Sequence, residues 1–344
     1  MGEIFLSRGP RPDGSTGLAA VKRLLPQAAR DPLFVDMFLD EGRLARRLDH
    51  PNVCGMWDLG QDEGQYYLAM EWIDGVSLEL LVRRAAGRGG IPVPIAVKIA
   101  AEVADGLDYA HRLADTDGGH LGIVHRDVSP PNIMIGFDGR VRLLDFGLAK
   151  ARTQLAQTQP GYVKGKFGYV APEQLAGKVD YRTDVFALGL CLYEALTGRQ
   201  LFAQATTADT IVAVRGYREA PSTRTLRPEV PPELDALVQR AIAPRPSQRF
   251  ESAGEMKLYL RRALEKTGQT EDASRIAAFV RTLFPDHKSV EDPGASDAVD
   301  ARLLAAAAVD QADEHAGGTS SWLVALLVTL GLAAAGAAAW LLLT

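Results

Sequence analysis

Two short polar motifs, lying 18 residues apart from Asp to Asp, constrain this chain more than any other feature. The first is His125-Arg126-Asp127-Val128-Ser129-Pro130-Pro131-Asn132 and the second is Asp145-Phe146-Gly147. An Asp and an Asn five residues apart on a tight loop can divide two tasks. Asp127 can orient and deprotonate a hydroxyl nucleophile, and Asn132 can offer its carbonyl oxygen to a metal. Asp145 follows the apolar run 141–144. A carboxylate there, with a glycine two residues on, suits a hard cation held close to flexible backbone. An isolated Asp-Phe-Gly reads as a turn; the two motifs in order are specific.

The chain has 344 residues, 47% hydrophobic and 24% charged, a globular composition that excludes wholesale disorder and fibrous architectures. A net charge of −5 gives no support to a nucleic-acid partner. Cys54 and Cys191 are the only cysteines, which excludes a disulfide framework and a four-cysteine zinc site. The acidity is local: residues 265–320 carry 11 acidic and 5 basic side chains, so 1–264 is a nearly neutral unit. Residues 322–343 carry no charge, and Thr329 is their one polar side chain. A helix of that length covers about 33 Å, enough for a hydrocarbon core of ~30 Å. No polar stripe is visible, and Trp322 and Trp340 sit near the two ends, where interfacial rings belong. A transmembrane helix is expected over 321–343, with the lipid bilayer as a partner. Gly331 and Ala335, four apart, fit either close helix pairing in a homodimer or a lipid-facing surface.

Residues 3–8, 17–24, 53–59 and 65–73 read as strands, and 32–48 as an amphipathic helix carrying Phe34, Phe38, Leu39, Leu44 and Leu48. Helical spacing recurs over 95–113, 184–197, 232–243 and 252–264. The pattern predicts an α+β chain: a small β-rich lobe with one helix, then a larger helical lobe. Over 273–284, Ile276, Phe279, Val280, Leu283 and Phe284 predict one more amphipathic helix, stopped by Pro285, that packs on the main domain or binds a partner. Residues 286–320 read as a flexible acidic linker.

These residues resemble the protein kinase family over roughly residues 2–264. Ala20-Val21-Lys22 resembles the strand lysine that grips the α- and β-phosphates, and Glu41 its ion-pair partner on the first helix. Met70-Glu71-Trp72-Ile73 resembles the gatekeeper and hinge, where backbone groups meet adenine. Ala171-Pro172-Glu173 resembles the end of the activation segment, and Arg249 the buried arginine that pairs with that glutamate. Asp184 resembles the carboxylate that holds the catalytic loop's backbone. The resemblance implies a two-lobed kinase domain over 1–264, then a helix and linker over 265–320. It implies ATP and Mg²⁺, with Asn132 and Asp145 on the metal and Asp127 as the base. Protein Ser/Thr hydroxyls are the implied substrates. Arg126 is expected to pair with a phosphorylated segment residue, Thr153, Thr158 and Tyr162 being the hydroxyl candidates and the two threonines the first choices.

The chain departs from the family pattern in three places. Gly2-Glu3-Ile4 matches only the last glycine and the apolar position of the nucleotide-covering loop, so the domain's N-terminal edge is expected to be truncated. Ser129 stands where Ser/Thr kinases carry a lysine, and Lys166 where they carry a threonine. The hydroxyl and ammonium have traded places, and Lys166 is expected to reach back beside Asp127. The loop also follows an extended 116–122 insertion, in the style of bacterial Ser/Thr kinases. The resulting expectation is a single-pass kinase of the cytoplasmic membrane with its catalytic domain in the cytosol. A pseudokinase acting as a binding or scaffold module is the competing reading, favoured by the incomplete nucleotide loop. A small-molecule kinase fits less well, because Ala171-Pro172-Glu173 and Arg249 belong to protein kinases.

Overall fold

Strands β1 (Gly2–Pro10) and β2 (Thr16–Leu24) form a hairpin in full antiparallel register, from Gly2 opposite Leu24 to Pro10 opposite Thr16. The turn is made by Asp13, whose Oδ1 accepts from the Ser15 amide at 2.9 Å, and by Gly14 at φ +81°. This computed structural model describes residues 2–115, 117–146, 166–266 and 272–289. With β3 (Met56–Asp62) and β4 (Gln65–Glu71), the hairpin makes a four-stranded sheet of order β1-β2-β4-β3. Lys22 therefore lies on an inner strand, opposite Ile4 on one side and Leu68 on the other.

Helix α1 (Pro32–Ala45) starts at Asp31, whose side chain accepts from the Leu33 amide at 3.0 Å, with Pro32 at the first helical position. Phe38 enters a small core with Leu24 and Leu68. Gly42 lets the helix lie close to the sheet: a Cβ there would sit 2.6 Å from the Leu68 side chain. Glu41 shares that inward face three residues after Phe38, and the close approach carries it down to the sheet.

The strand expected from Val53 begins three residues later. Val53 is drawn away from the sheet by a parallel bridge to Leu143, where the Cys54 amide donates to Leu143 O and the Leu143 amide to Asn52 O, both at 2.9 Å. Strands β5 (Gly75–Ser77), β6 (Ile133–Gly136) and β7 (Val141–Leu143) form a second sheet in chain order. The catalytic-loop motif leads into β6, and β7 leads directly to Asp145.

The second lobe is helical: α2 (Leu78–Ala85), α3 (Val93–Arg112), α4 (Arg182–Thr197), α5 (Thr207–Gly216), α6 (Thr223–Leu226), α7 (Pro232–Ala241), α8 (Ala253–Glu265) and α9 (Ala273–Leu283). Helix α4 is buried on all sides, including Asp184, Phe186, Leu190 and Tyr193, so it shows no polar stripe. It ends at Gly198 in the left-handed region, whose amide donates to Glu194 O at 2.7 Å. Helices α2, α5 and α6 have no counterpart in the sequence reading. Helix α9 buries Ile276, Val280 and Leu283 in the same core as α3 and α4. Among the described residues no helix is long and apolar enough to cross a membrane, and 322–343 lies outside them.

Leu107 on α3 is fully buried, whereas Leu258 on α8 is 54% exposed. Leu107→Ala should lower the unfolding free energy by about 2–5 kcal/mol. Leu258→Ala should change it by less than about 0.5 kcal/mol in the same denaturant titration. Equal effects would place the core elsewhere.

Candidate active site

Lys22 Nζ lies 3.3 Å from Glu41 Oε1 and 3.2 Å from Asp145 Oδ1. One ammonium thus joins the sheet, α1 and the strand end after β7. The Lys22 and Glu41 side chains are only 9% and 3% exposed, while Asp145 opens to solvent at 25%. The buried partners fix the lysine, and the more open carboxylate faces what can be bound. Asp145 adopts φ +56°, a left-handed backbone that costs about 1–3 kcal/mol in a residue other than glycine.

The loop 125–132 is held from below by Asp184. Its Oδ2 accepts from the His125 amide at 2.8 Å and its Oδ1 from the Arg126 amide at 2.7 Å. His111 Nε2 lies 2.8 Å from the same Oδ2. Those contacts hold Arg126 at φ +67°. His125 Nε2 donates to Leu144 O at 2.7 Å and its Nδ1 accepts from the Asp127 amide at 3.2 Å, so one neutral tautomer serves both. The imidazole also meets the Phe146 ring edge-on, with centroids 4.5 Å apart. His125 thereby links the loop to the segment carrying Asp145. Asn132 Nδ2 donates to Asp127 O at 2.7 Å and to Asp127 Oδ2 at 3.1 Å, which leaves the amide oxygen for a cation. Ser129 is buried, and its hydroxyl donates to Asp127 O at 3.4 Å.

Among the described residues no cluster of three or more His, Cys, Asp or Glu could enclose a metal by itself. One carboxylate and one amide oxygen instead fit Mg²⁺, which keeps waters and substrate phosphate oxygens as its other ligands. Asp145 and Asn132 would hold it.

Met70 and Glu71 end β4, and Ile73 follows. The Glu71 carboxylate turns to Arg142 on β7, 3.2 Å from Nε and 3.3 Å from Nη2, and the Glu71 amide donates to Gly55 O at 2.8 Å. Gly2 and Ile4 lie on β1, with Ile4 52% exposed. Arg249 has a fully buried side chain that meets Glu173 at 2.6 and 2.8 Å; Thr183 adds a hydroxyl to the same carboxylate at 3.2 Å. Thr153, Thr158, Tyr162 and Gly147 lie outside the described residues, as does the Lys166 side chain; Lys166 itself opens the short turn Lys166–Tyr169.

The structure adds groups that sequence reasoning missed. Gln174 Nε2 donates to Arg126 O at 3.0 Å, and Tyr169 donates to Glu194 on α4. Both tie the segment before α4 to the helical lobe. Burial pushes the Glu194 carboxyl upward, opposed by the Tyr169 hydroxyl. Arg142, His111, Gln174 and Tyr169 belong to none of the motifs read from the sequence, and each gains its role from a partner distant in the chain.

Residues 13–258 match the protein kinase domain family. The chain is 39% identical over 294 residues to the tyrosine-protein kinase MasK of Myxococcus xanthus, covering 85% of this chain and 45% of that protein. It is 36% identical over 267 residues to the serine/threonine-protein kinase PknH of Mycobacterium tuberculosis, covering 77% and 41%. The chain thus spans less than half the length of these relatives. The crystal structure of the M. tuberculosis PknI kinase domain is similar at a TM-score of 0.57 and 31% identity, covering 76% of this chain and 91% of that one.

Burial alone would push Asp184 up, but the His111 bond, the neighbouring His111 ring and the Arg126 amide outweigh it, leaving its carboxyl below the ordinary 3.8. A lowered native value stabilises the fold above the unfolded value, and that stabilisation is lost as pH falls through the native one. The stability gap between wild type and Asp184→Asn should therefore be full near neutrality and shrink below about pH 4. Urea titrations at a series of pH values measure it; a gap that widens in acid would contradict the assignment.

Proposed function

The chain belongs to the protein kinase domain family, and from that premise we propose that it transfers the γ-phosphoryl group of ATP to serine or threonine hydroxyls of proteins. The observation that carries this reading is Lys22 held between Glu41 and Asp145, because the phosphate-gripping cation, its partner and a metal-facing carboxylate meet at one point. Bound Mg²⁺ and ATP would supply the phosphoryl group and screen the charge on its oxygens. Lys22 would position the phosphates, and Asp145 with Asn132 would hold the metal. Asp127 orients the substrate hydroxyl and takes its proton. Lys166 supplies the cation that Ser129 cannot, stabilising negative charge on the transferring group. Arg126 awaits a phosphate on Thr153 or Thr158.

Serine/threonine specificity follows the relatives named as such, and MasK, named a tyrosine kinase, makes tyrosine transfer the alternative. A kinase-shaped scaffold is disfavoured by the intact set Lys22, Glu41, Asp127, Asn132 and Asp145.

Radiolabel transfer to a generic protein substrate, followed by phosphoamino-acid analysis, tests the reading. Asp127→Asn should lower kcat by about 10²–10⁴-fold with the melting temperature and ATP affinity kept. Asp145→Asn should also weaken Mg²⁺ binding, raising the Mg²⁺ concentration needed for half-maximal activity, and Lys166→Thr should cost on the order of 10²-fold. Wild-type turnover in Asp127→Asn would sink the enzyme assignment; unchanged turnover in Lys166→Thr would sink the exchange of Ser129 and Lys166.

The uncharged 322–343 segment supports a further part of the proposal, a single-pass anchor in the cytoplasmic membrane with the kinase unit on the ATP-containing side. Deleting 321–344 should move the protein from the membrane fraction to the soluble fraction with activity kept. Retention of the deleted form in the membrane would refute the anchor.

A further inference from the structure

Residues Phe284 to His287 lie beyond the matched family region, which ends at 258, yet they pack against the exit of the hinge. The chain leaves the hinge at Ile73 and reaches Asp74, whose carbonyl accepts from the Phe137 amide at 2.9 Å. Phe137 sits in the turn between β6 and β7 and is 5% exposed. His287 stacks on its ring with centroids 3.5 Å apart and planes 7° from parallel, and Phe284 meets it edge-on at 6.2 Å. The His287 Nε2 atom lies 2.9 Å from Asp74 Oδ1, a close contact rather than an aligned hydrogen bond. One imidazole therefore touches both the residue after the hinge and the ring that this residue's backbone holds.

Helix α9 fixes where that imidazole sits. Arg281 Nε donates to Phe137 O at 3.2 Å, and Arg88 Nη1 donates to Thr282 O at 2.9 Å. Arg84 lies over the Phe284 ring, 5.2 Å from its centroid. Helix α9 also crosses the β6–β7 turn closely: a Cβ on Gly139 would lie 1.9 Å from Ala273 O. With Ile276, Val280 and Leu283 in the main core, the segment is seated at both ends.

We propose that His287, just beyond α9, is a positioning residue for nucleotide binding that acts through Asp74 at the exit of the hinge. The proposal rests on the reading of this chain as an ATP-dependent kinase. The physical argument is one of restraint. Hinges absorb backbone rotation at a few residues, and residues far from the chemistry change ligand affinity when they select one hinge geometry. Asp74 is held at its carbonyl by Phe137 and approached at its carboxylate by His287. Removing the imidazole leaves the Phe137 ring uncovered and Asp74 without its neighbouring ring, so the hinge exit samples more conformations. Fewer molecules then present the backbone geometry that a base requires, and apparent affinity falls by that fraction.

The test is calorimetric titration of ATP with Mg²⁺ into the full-length protein. Wild type should bind. His287→Ala and Asp74→Ala should each weaken ATP binding roughly 2- to 30-fold, and the double variant should be no weaker than the worse single one. Lys288→Ala, one residue further on, should bind as wild type does. A melting temperature lowered in His287→Ala with ATP affinity unchanged would overturn the proposal and leave α9 a structural cap. Additive effects of the two substitutions would overturn it as well, because the imidazole would not act through Asp74. Absence of ATP binding in wild type would overturn the kinase reading itself, and this proposal with it.

Discussion

The catalytic loop depends on one buried carboxylate. Asp184 is 1% exposed and accepts two successive backbone amides, those of His125 and Arg126. A peptide run that presents two amides to one side chain must turn sharply, and Arg126 takes up the strain in the left-handed region. The turn then aims His125 at Leu144 O and sets Asp127 within reach of Asn132. Helix α4 can hold Asp184 there because Arg249 closes over the helix's start, bonding Arg182 O and stacking on Phe186. The chain of dependence runs from a buried helix, through one carboxylate, to two side chains that can do chemistry.

A second constraint acts from the other lobe. Lys22 is useful only if α1 lies close enough for Glu41 to meet it, and Gly42 permits that approach. Two charges this buried stabilise little in net terms, since desolvation offsets much of their attraction. Their value is geometric. The pair fixes the ammonium on the Asp145 side of the sheet, where an anion can be received.

The elements bearing chemistry were the most legible. Asp127, Asn132 and Asp145 announce themselves because few other roles need those residue types at that spacing; the structure bonds Asn132 to Asp127, and the Leu144 amide, one residue before Asp145, donates to Asn132 O at 2.8 Å. Lys22 and Glu41, 19 residues apart, acquire meaning only from the resemblance; no local pattern joins a strand lysine to a helix glutamate. Long amphipathic helices such as α3 were readable from their period. Helix α2 buries Leu78, Leu81, Val82 and Ala85 at helical spacing and was legible, though it is only 8 residues long, whereas α5 buries only Thr210 and Val214, so its stripe is too thin to see. Val53 looked like a strand start because it is apolar and β-branched, but its partner is Leu143, 90 residues away, and no local reading reveals a tertiary bridge. Arg142 was missed for the same reason: its worth lies entirely in Glu71.

The bridge between Val53 and Leu143 has a kinematic consequence. Cys54 bonds Leu143, Gly55 bonds Glu71, and Glu71 bonds Arg142, so these links gather into one compact node that can serve as a pivot. Lys22 and Asp145 meet only two residues beyond it. The lever arm then runs from Leu143 to Asp145, two residues along one strand end, so a small rotation at the pivot is delivered to the metal-facing carboxylate with almost no slack.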